Sequence, residues 1–170
     1  MKKTILMMSA ALISLGAFAG ENLLKSSDIS SKAGWRTFIH NDCKETVKAS
    51  FKDNAFTAEI GENKRQGGYT VQLYNTTNDL LTGKKYKVTF DITAAKAGSF
   101  DFCYILGKAP YSTYAKQKIT LEPGKKSYSC VLEPKKVKDK FEEPRSLRFF
   151  IGTLQGNKVT ISNVKVEEVK

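Results

Sequence analysis

The sequence is poor in the side chains from which metal centres and nucleophilic sites are built: 170 residues contain one histidine, His40, and three cysteines, Cys43, Cys103 and Cys130. No two of these cysteines have the short spacing of zinc ligands, which argues against a zinc site. A Ser-His-Asp site would depend on that one histidine. There is no GxSxG elbow, no HExxH motif and no phosphate-cradling glycine loop. Beyond the first twenty residues no apolar run is long enough to cross a bilayer, and no stretch holds the period of a long amphipathic helix. Internal repeats and low-complexity linkers are missing too.

What is present begins with an export signature. Lys2 and Lys3 precede an apolar run of about 15 residues ending in Ala17-Phe18-Ala19, the order of a secretory signal peptide cleaved after Ala19. An uncleaved anchor is the alternative, but the run is short for a hydrocarbon core of about 30 Å and no stop-transfer pattern follows. Residues 1–19 are therefore expected to be removed and residues 20–170 to form one domain, because a chain of about 150 residues buries one sizeable core and seldom two. Such a protein is secreted or periplasmic and has no membrane span after cleavage. Disulfides form in that setting. Three cysteines allow at most one internal pair, for which Cys103 and Cys130 are the better placed because both lie in strand-like runs. The other reading makes all three small buried hydrophobes.

Lys and Arg number 28 against 17 Asp and Glu, a formal charge of +11 that falls to +9 without Lys2 and Lys3. A field of that sign favours acidic partners, acidic glycans and envelope surfaces among them. Lysines scattered along strand exteriors and through the 135–140 loop are also what an ordinary solvated surface looks like. Nucleic acid is not an expected partner, since net charge alone does not identify one and the chain is exported.

Residues 67–92 organise the rest. Val71 and Leu73 point one way and Gln72 and Tyr74 the other; after an LTGK corner, Tyr86, Val88, Phe90 and Ile92 alternate with Lys87, Thr89 and Asp91. Both segments read as half-buried strands. Before them, TVKASF and AFTAEIGEN form a hairpin around Asp53-Asn54. After them, SFDFCYIL is apolar on both faces, as a covered central strand is. Pro123-Gly124 marks a turn between two further strands, and SLRFFIG and KVTISNVKVEEV supply the last two. The stretch WRTFIHND is a strand or an irregular rim, with the sole tryptophan, Trp35, expected in core or edge packing rather than as a ligand platform. Nine or ten short strands with turn signals between them predict an all-β fold, an antiparallel β-sandwich or barrel, with jelly-roll topology fitting best.

Carboxylates and aromatics are the two classes left to carry function. Glu59, Asp79, Asp91, Asp101 and Glu122 sit on strand exteriors or in turns, where solvated acids are the rule, so a paired-carboxylate site has no sequence support. Aromatics are more informative. Of ten Phe, seven Tyr and one Trp, several tyrosines fall off the core parity of their strand or into loops: Tyr74, Tyr111 and Tyr114. Singly, each is ordinary edge packing; together on one face they would line a groove, with Gln72, Asn75 and Arg148 to hydrogen-bond hydroxyls.

Several segments, in order, carry a resemblance: Asn22-Leu23-Leu24 at the start, Gly34-Trp35, YTVQLYN from Tyr69 to Asn75 and LTGKKYKVTFDITA from Leu81 to Ala94. The series continues with GKKSYSC from Gly124 to Cys130, LRFFIG from Leu147 to Gly152, and VTISNVKVEE from Val159 to Glu168. Over nearly the whole exported part, the sequence resembles the carbohydrate-binding modules of the family 4, 9 and 22 (CenC-like) type, which have a galactose-binding-domain-like jelly roll. The resemblance implies a non-catalytic module that binds a polysaccharide or oligosaccharide in an aromatic-lined groove on a concave sheet, and the net positive charge adds acidic glycans to the candidates. Tyr69, where many relatives carry tryptophan, joins Gln72 and Tyr74 as candidate binding residues, with Tyr111, Tyr114, Arg148 and Phe150 beside them. Relatives often hold a structural calcium ion between the N-terminal segment and an Asp of the final strand. Here the matching position is Ser162, leaving Asp28 as the candidate ligand. Two other readings keep the sandwich: an envelope-associated structural or assembly protein without a glycan site, and a small glycan-cleaving enzyme.

Overall fold

The computed structural model describes residues 20–24, 26–76, 80–137 and 144–170. The expected signal segment, residues 1–19, and Asp79 lie outside the described residues. Within them the chain forms ten strands: β1 (Trp35–Ile39), β2 (Val47–Lys52), β3 (Ala55–Ile60), β4 (Val71–Asn75), β5 (Lys85–Ala94), β6 (Gly98–Leu106), β7 (Thr113–Leu121), β8 (Gly124–Leu132), β9 (Arg145–Phe150) and β10 (Asn157–Val169). Three short 3-10 turns accompany them, and no helix among the described residues is long and apolar enough to cross a membrane.

The strands make two five-stranded antiparallel sheets, ordered β1-β4-β9-β6-β7 and β2-β3-β10-β5-β8, which pack face to face as the expected jelly-roll sandwich. Alternation decides what is inside. Val71 and Leu73 of β4, Tyr86, Val88, Phe90 and Ile92 of β5, and Leu147 and Phe149 of β9 are buried, so the inward set expected from residues 67–92 is the observed one. The segment from Trp35 is a strand, not a rim, and Trp35 is fully buried. Asp53 and Asn54 join β2 to β3 with φ of 50° and 58°, the paired left-handed conformations that make a two-residue hairpin turn follow strand twist.

Phe149 is the hub between the sheets. Its ring centroid lies 4.6 Å from Phe102, 5.2 Å from Phe90, 5.9 Å from Phe100 and 6.0 Å from Trp35. Such pairs contribute about 0.5–1.5 kcal/mol each beyond the area they bury. Two tyrosine hydroxyls secure the chain ahead of β5: Tyr104 accepts from the Leu80 N–H at 2.9 Å and Tyr86 from the Leu81 N–H at 2.8 Å.

The proposed Cys103–Cys130 pair does not form; all three cysteines are free. Cys103 stands opposite Arg148 on the outward parity of β6, whereas Cys130 packs against the core from β8 of the other sheet. Both sit in strands, as expected, but alternation within a strand does not say to which sheet the strand belongs. Burial pushes the thiol of Cys103 up to about 11 and that of Cys130 up to about 12, so neither is a thiolate near neutral pH.

Candidate functional site

The outward face of the first sheet is built in rows. Antiparallel pairing sets Arg36 opposite Tyr74, Tyr74 opposite Arg148 and Arg148 opposite Cys103; one pair along, Phe38 faces Gln72, and Gln72 faces Phe150. Because successive side chains point to opposite faces, the burial of Val71, Leu73, Leu147 and Phe149 forces Gln72, Tyr74, Arg148 and Phe150 outward. These rows form the floor of a cleft of about 820 Å³ that crosses all five strands, from Arg36 and Phe38 on β1 to Ile105 on β6 and Thr113 on β7. The loops before β4 and after β6 raise its walls.

Arg148 stands at the centre and is only 8% exposed. Its Nε donates to Ser146 Oγ at 2.8 Å, Nη1 to Gln72 Oε1 at 2.7 Å and Nη2 to the Gly107 carbonyl at 3.2 Å. The Tyr74 ring lies 5.1 Å from the guanidinium carbon and the Tyr111 ring 5.9 Å, distances at which a cation is attracted to an aromatic face. Burial pulls the Arg148 pKa below the usual arginine value, although a guanidinium stays charged throughout the accessible range. The Gln72 amide is fixed from both ends, since its Nε2 donates to the Tyr69 carbonyl at 2.7 Å.

Tyr69, 45% exposed, is carried on the 3-10 turn Gly68–Thr70 with the Arg65 guanidinium 5.8 Å from its ring centre. The turn requires glycine. Gly67 has φ of 129°, and a β-carbon on Gly152, in the turn after β9, would lie 2.2 Å from Thr70 Oγ1 and 2.5 Å from the Gly67 carbonyl. The close seat of this turn on Gly152 therefore sets where Tyr69 stands. Tyr111 forms the opposite wall, 54% exposed, with φ of 56° and its N–H donating to the Lys108 carbonyl at 2.7 Å. A left-handed backbone at a residue with a β-carbon costs about 1–2 kcal/mol, and conformations of this kind gather at ligand-binding positions.

Of the residues proposed from sequence, Tyr69, Gln72, Tyr74, Tyr111, Arg148 and Phe150 meet in this cleft. Asn75 and Tyr114 do not join them: Asn75 shares the inward parity of Val71 and Leu73, is fully buried and donates its Nδ2 to the Ala33 carbonyl at 3.1 Å. The β6–β7 pairing slips between Tyr104 and Ile105, so Ala115 and Thr113 are partnered and Tyr114 turns inward. There it is buried in the core cluster, 5.9 Å from the Tyr104 ring and covered by the Arg145 guanidinium at 4.4 Å. Phe38 and Arg36, which sequence reasoning missed, line the β1 end of the cleft. The signal was available: burying Trp35 on a five-residue strand turns Arg36 and Phe38 outward.

Among the described residues no Asp or Glu lines the cleft. Asp101 is engaged by Lys116 at 2.7 Å, Glu59 by Lys158 at 2.6 Å, and Asp91 accepts from Ser127 at 2.6 Å and Asn163 at 2.7 Å. Among the described residues no group of three or more His, Cys, Asp or Glu is placed to hold a metal, at Asp28 or elsewhere. Hydrogen bonds tie the N-terminal segment to β10: Asn22 Oδ1 accepts from the N–H of Leu24 at 3.2 Å and of Val166 at 3.0 Å, and Ser27 O accepts from the Val164 N–H at 3.1 Å.

No family model matches the sequence, and no curated protein matches it. Solved structures do. The second N-terminal cellulose-binding domain of β-1,4-glucanase C from Cellulomonas fimi is 15% identical, with a TM-score of 0.68 over 89% of this chain and 97% of that one. The N-terminal cellulose-binding domain of the same enzyme is 12% identical, with a TM-score of 0.61 over 85% and 94%. A family 4 carbohydrate-binding module is 13% identical, with a TM-score of 0.64 over 80% and 95%. At these identities the likeness is one of fold: the chain has the jelly-roll fold of the modules its sequence resembles.

Proposed function

We propose that the exported protein is a non-catalytic carbohydrate-binding module that holds a polysaccharide or oligosaccharide along the cleft of the first sheet. One observation carries this reading: Phe38, Tyr69 and Tyr111, three of the most exposed large apolar side chains, all converge on the one cleft that crosses the whole sheet. Exposed rings gathered around a floor of fixed polar groups suit a ligand with apolar ring faces and a hydroxyl rim, which a sugar chain has. The fold likeness to domains described as cellulose-binding supports the same class of ligand. Binding without cleavage is the chemistry that fits, since glycoside hydrolysis ordinarily needs two carboxylates flanking the scissile bond and no described residue of the cleft lining is one.

Affinity electrophoresis of residues 20–170 through gels containing soluble plant, algal and host polysaccharides tests the proposal. Retardation by at least one polymer is expected, lost in Tyr74→Ala and Tyr111→Ala, with no new reducing ends on incubation. Retardation that both variants preserve, or none on any polymer, contradicts it.

A further inference from the structure

Resting on the glycan-binding reading above, we infer that the occupant of the cleft is an acidic chain, one containing uronic acids. One sugar carboxylate is received by Arg148 at mid-cleft and another by Arg36 at the β1 end. The argument begins with what Arg148 lacks. Its guanidinium is buried, yet all three of its hydrogen-bond acceptors are neutral: a serine hydroxyl, a glutamine amide oxygen and a backbone carbonyl. A buried cation without an anion is costly to keep, and the flanking tyrosine rings offset that cost only in part. Of the five donors of a guanidinium, three are engaged here. Two remain, one on each terminal nitrogen, and a carboxylate brings two oxygens in the planar geometry that arginine matches best.

Among the described residues the surroundings supply no anion. No described carboxylate lines the cleft, and two acids near it are committed elsewhere: Asp101, two residues along β6 from Cys103, to Lys116 at 2.7 Å, and Asp42, just after β1, to Arg65 at 3.3 Å. Arg36 is exposed and pairs with no carboxylate among the described residues. It shares a cross-strand row with Tyr74 and Arg148, so the two arginines flank the Tyr74 ring from two strands apart, roughly 10 Å at ordinary strand spacing. A sugar packed on Tyr74 therefore has a guanidinium on either side along the cleft. A neutral glycan would satisfy the rings and leave both cations unanswered.

Isothermal titration separates this from attraction by net charge. The probes are oligomers of galacturonate, mannuronate and glucuronate, each beside the same oligomer with its carboxylates reduced to primary alcohols. Salt is held at about 0.15 M, where the screening length is ~8 Å. For at least one sugar the acidic oligomer is expected to bind tighter than its reduced twin by roughly tenfold or more, the worth of one charge-assisted hydrogen bond. Arg36→Gln lowers that ratio, while Lys87→Gln with Lys165→Gln, on the opposite sheet, leaves it unchanged. Reduced oligomers that bind as tightly as acidic ones overturn the acidic assignment and leave the glycan cleft standing. Acidic binding that Arg36→Gln spares and the lysine pair weakens overturns it too, by moving the contact to the other face. If none of these oligomers binds but a neutral polysaccharide retards the protein in gels, only the acidic assignment falls; if nothing binds in either experiment, both readings fall.

Discussion

The outward face of the first sheet presents Phe38, Tyr74, Phe150 and Arg148 in its rows, whereas the outward face of the second presents Ser50, Thr57, Thr160, Thr93 and Lys125. Both rows follow from the same two-residue period. The second is what a sheet needs to meet water: β-branched and hydroxyl side chains that suit the pleat, Thr57 and Thr160 hydrogen-bonded at 2.9 Å, and acids paired with neighbouring lysines. A depression on it, of about 350 Å³, is floored by an Asp91 already engaged by Ser127 and Asn163. Nothing about solubility calls for aromatic rings and a buried arginine on the first face. The difference teaches that strand alternation fixes which residues face out, while the chemistry of the outward set tells a working face from a merely solvated one.

The largest effect should come from removing what both faces share. Phe149 joins the sheets through four aromatic partners, so Phe149→Ala is expected to cost about 3–5 kcal/mol, read as a fall in the denaturant midpoint with the slope unchanged. Next, Tyr74→Ala combined with Tyr111→Ala should weaken glycan binding by roughly a hundredfold, as loss of two interface anchors does, with little change in stability. Lys87→Gln with Lys165→Gln should leave binding as it was. An equal loss from the two pairs would erase the distinction between the faces.

Gly152→Ala sharpens it from below. A methyl group placed against Thr70 and the Gly67 carbonyl should cost about 1–3 kcal/mol as overpacking, and by displacing Tyr69 it should weaken binding as well. The second face should carry more of the acid response. Hydrogen bonds from Ser127 and then Asn163 lower the Asp91 pKa. The stability this confers is full above the ordinary carboxylate range and is lost as pH falls through the lowered value. Asp91→Asn should therefore flatten the decline in melting temperature between roughly pH 5 and pH 2. Smallest of all, a chelator should shift the melting temperature by less than about 1 °C, because hydrogen bonds from Asn22 and Ser27 already tie the N-terminal segment to β10.

Much of this was legible in the sequence wherever alternation was long and clean. The inward set of β4 and β5 could be read directly, and once Leu147 and Phe149 were taken as core, Arg148 and Phe150 had to face outward with Gln72 and Tyr74. Three things were harder to read, each for a physical reason. The register slip opposite Tyr104 reverses the parity of Tyr114, and no local signal announces a bulge. Cys103 and Cys130 each looked ready to pair because parity is a property of a strand, whereas a disulfide depends on which sheet the strand joins. Arg36 and Phe38 lie on an edge strand of five residues, where the alternation is short enough to pass for an irregular rim.

The most direct test is a nuclear magnetic resonance titration of isotope-labelled residues 20–170 with an oligosaccharide of the polymer that retards the protein most. Resonances of Phe38, Gln72, Tyr74, Tyr111 and the Arg148 side chain should shift together and saturate, while those of Thr89, Ser127 and Asn163 stay in place. Shifts confined to Thr89, Ser127 and Asn163, or none at saturating oligosaccharide, would contradict a glycan-binding cleft on the first sheet.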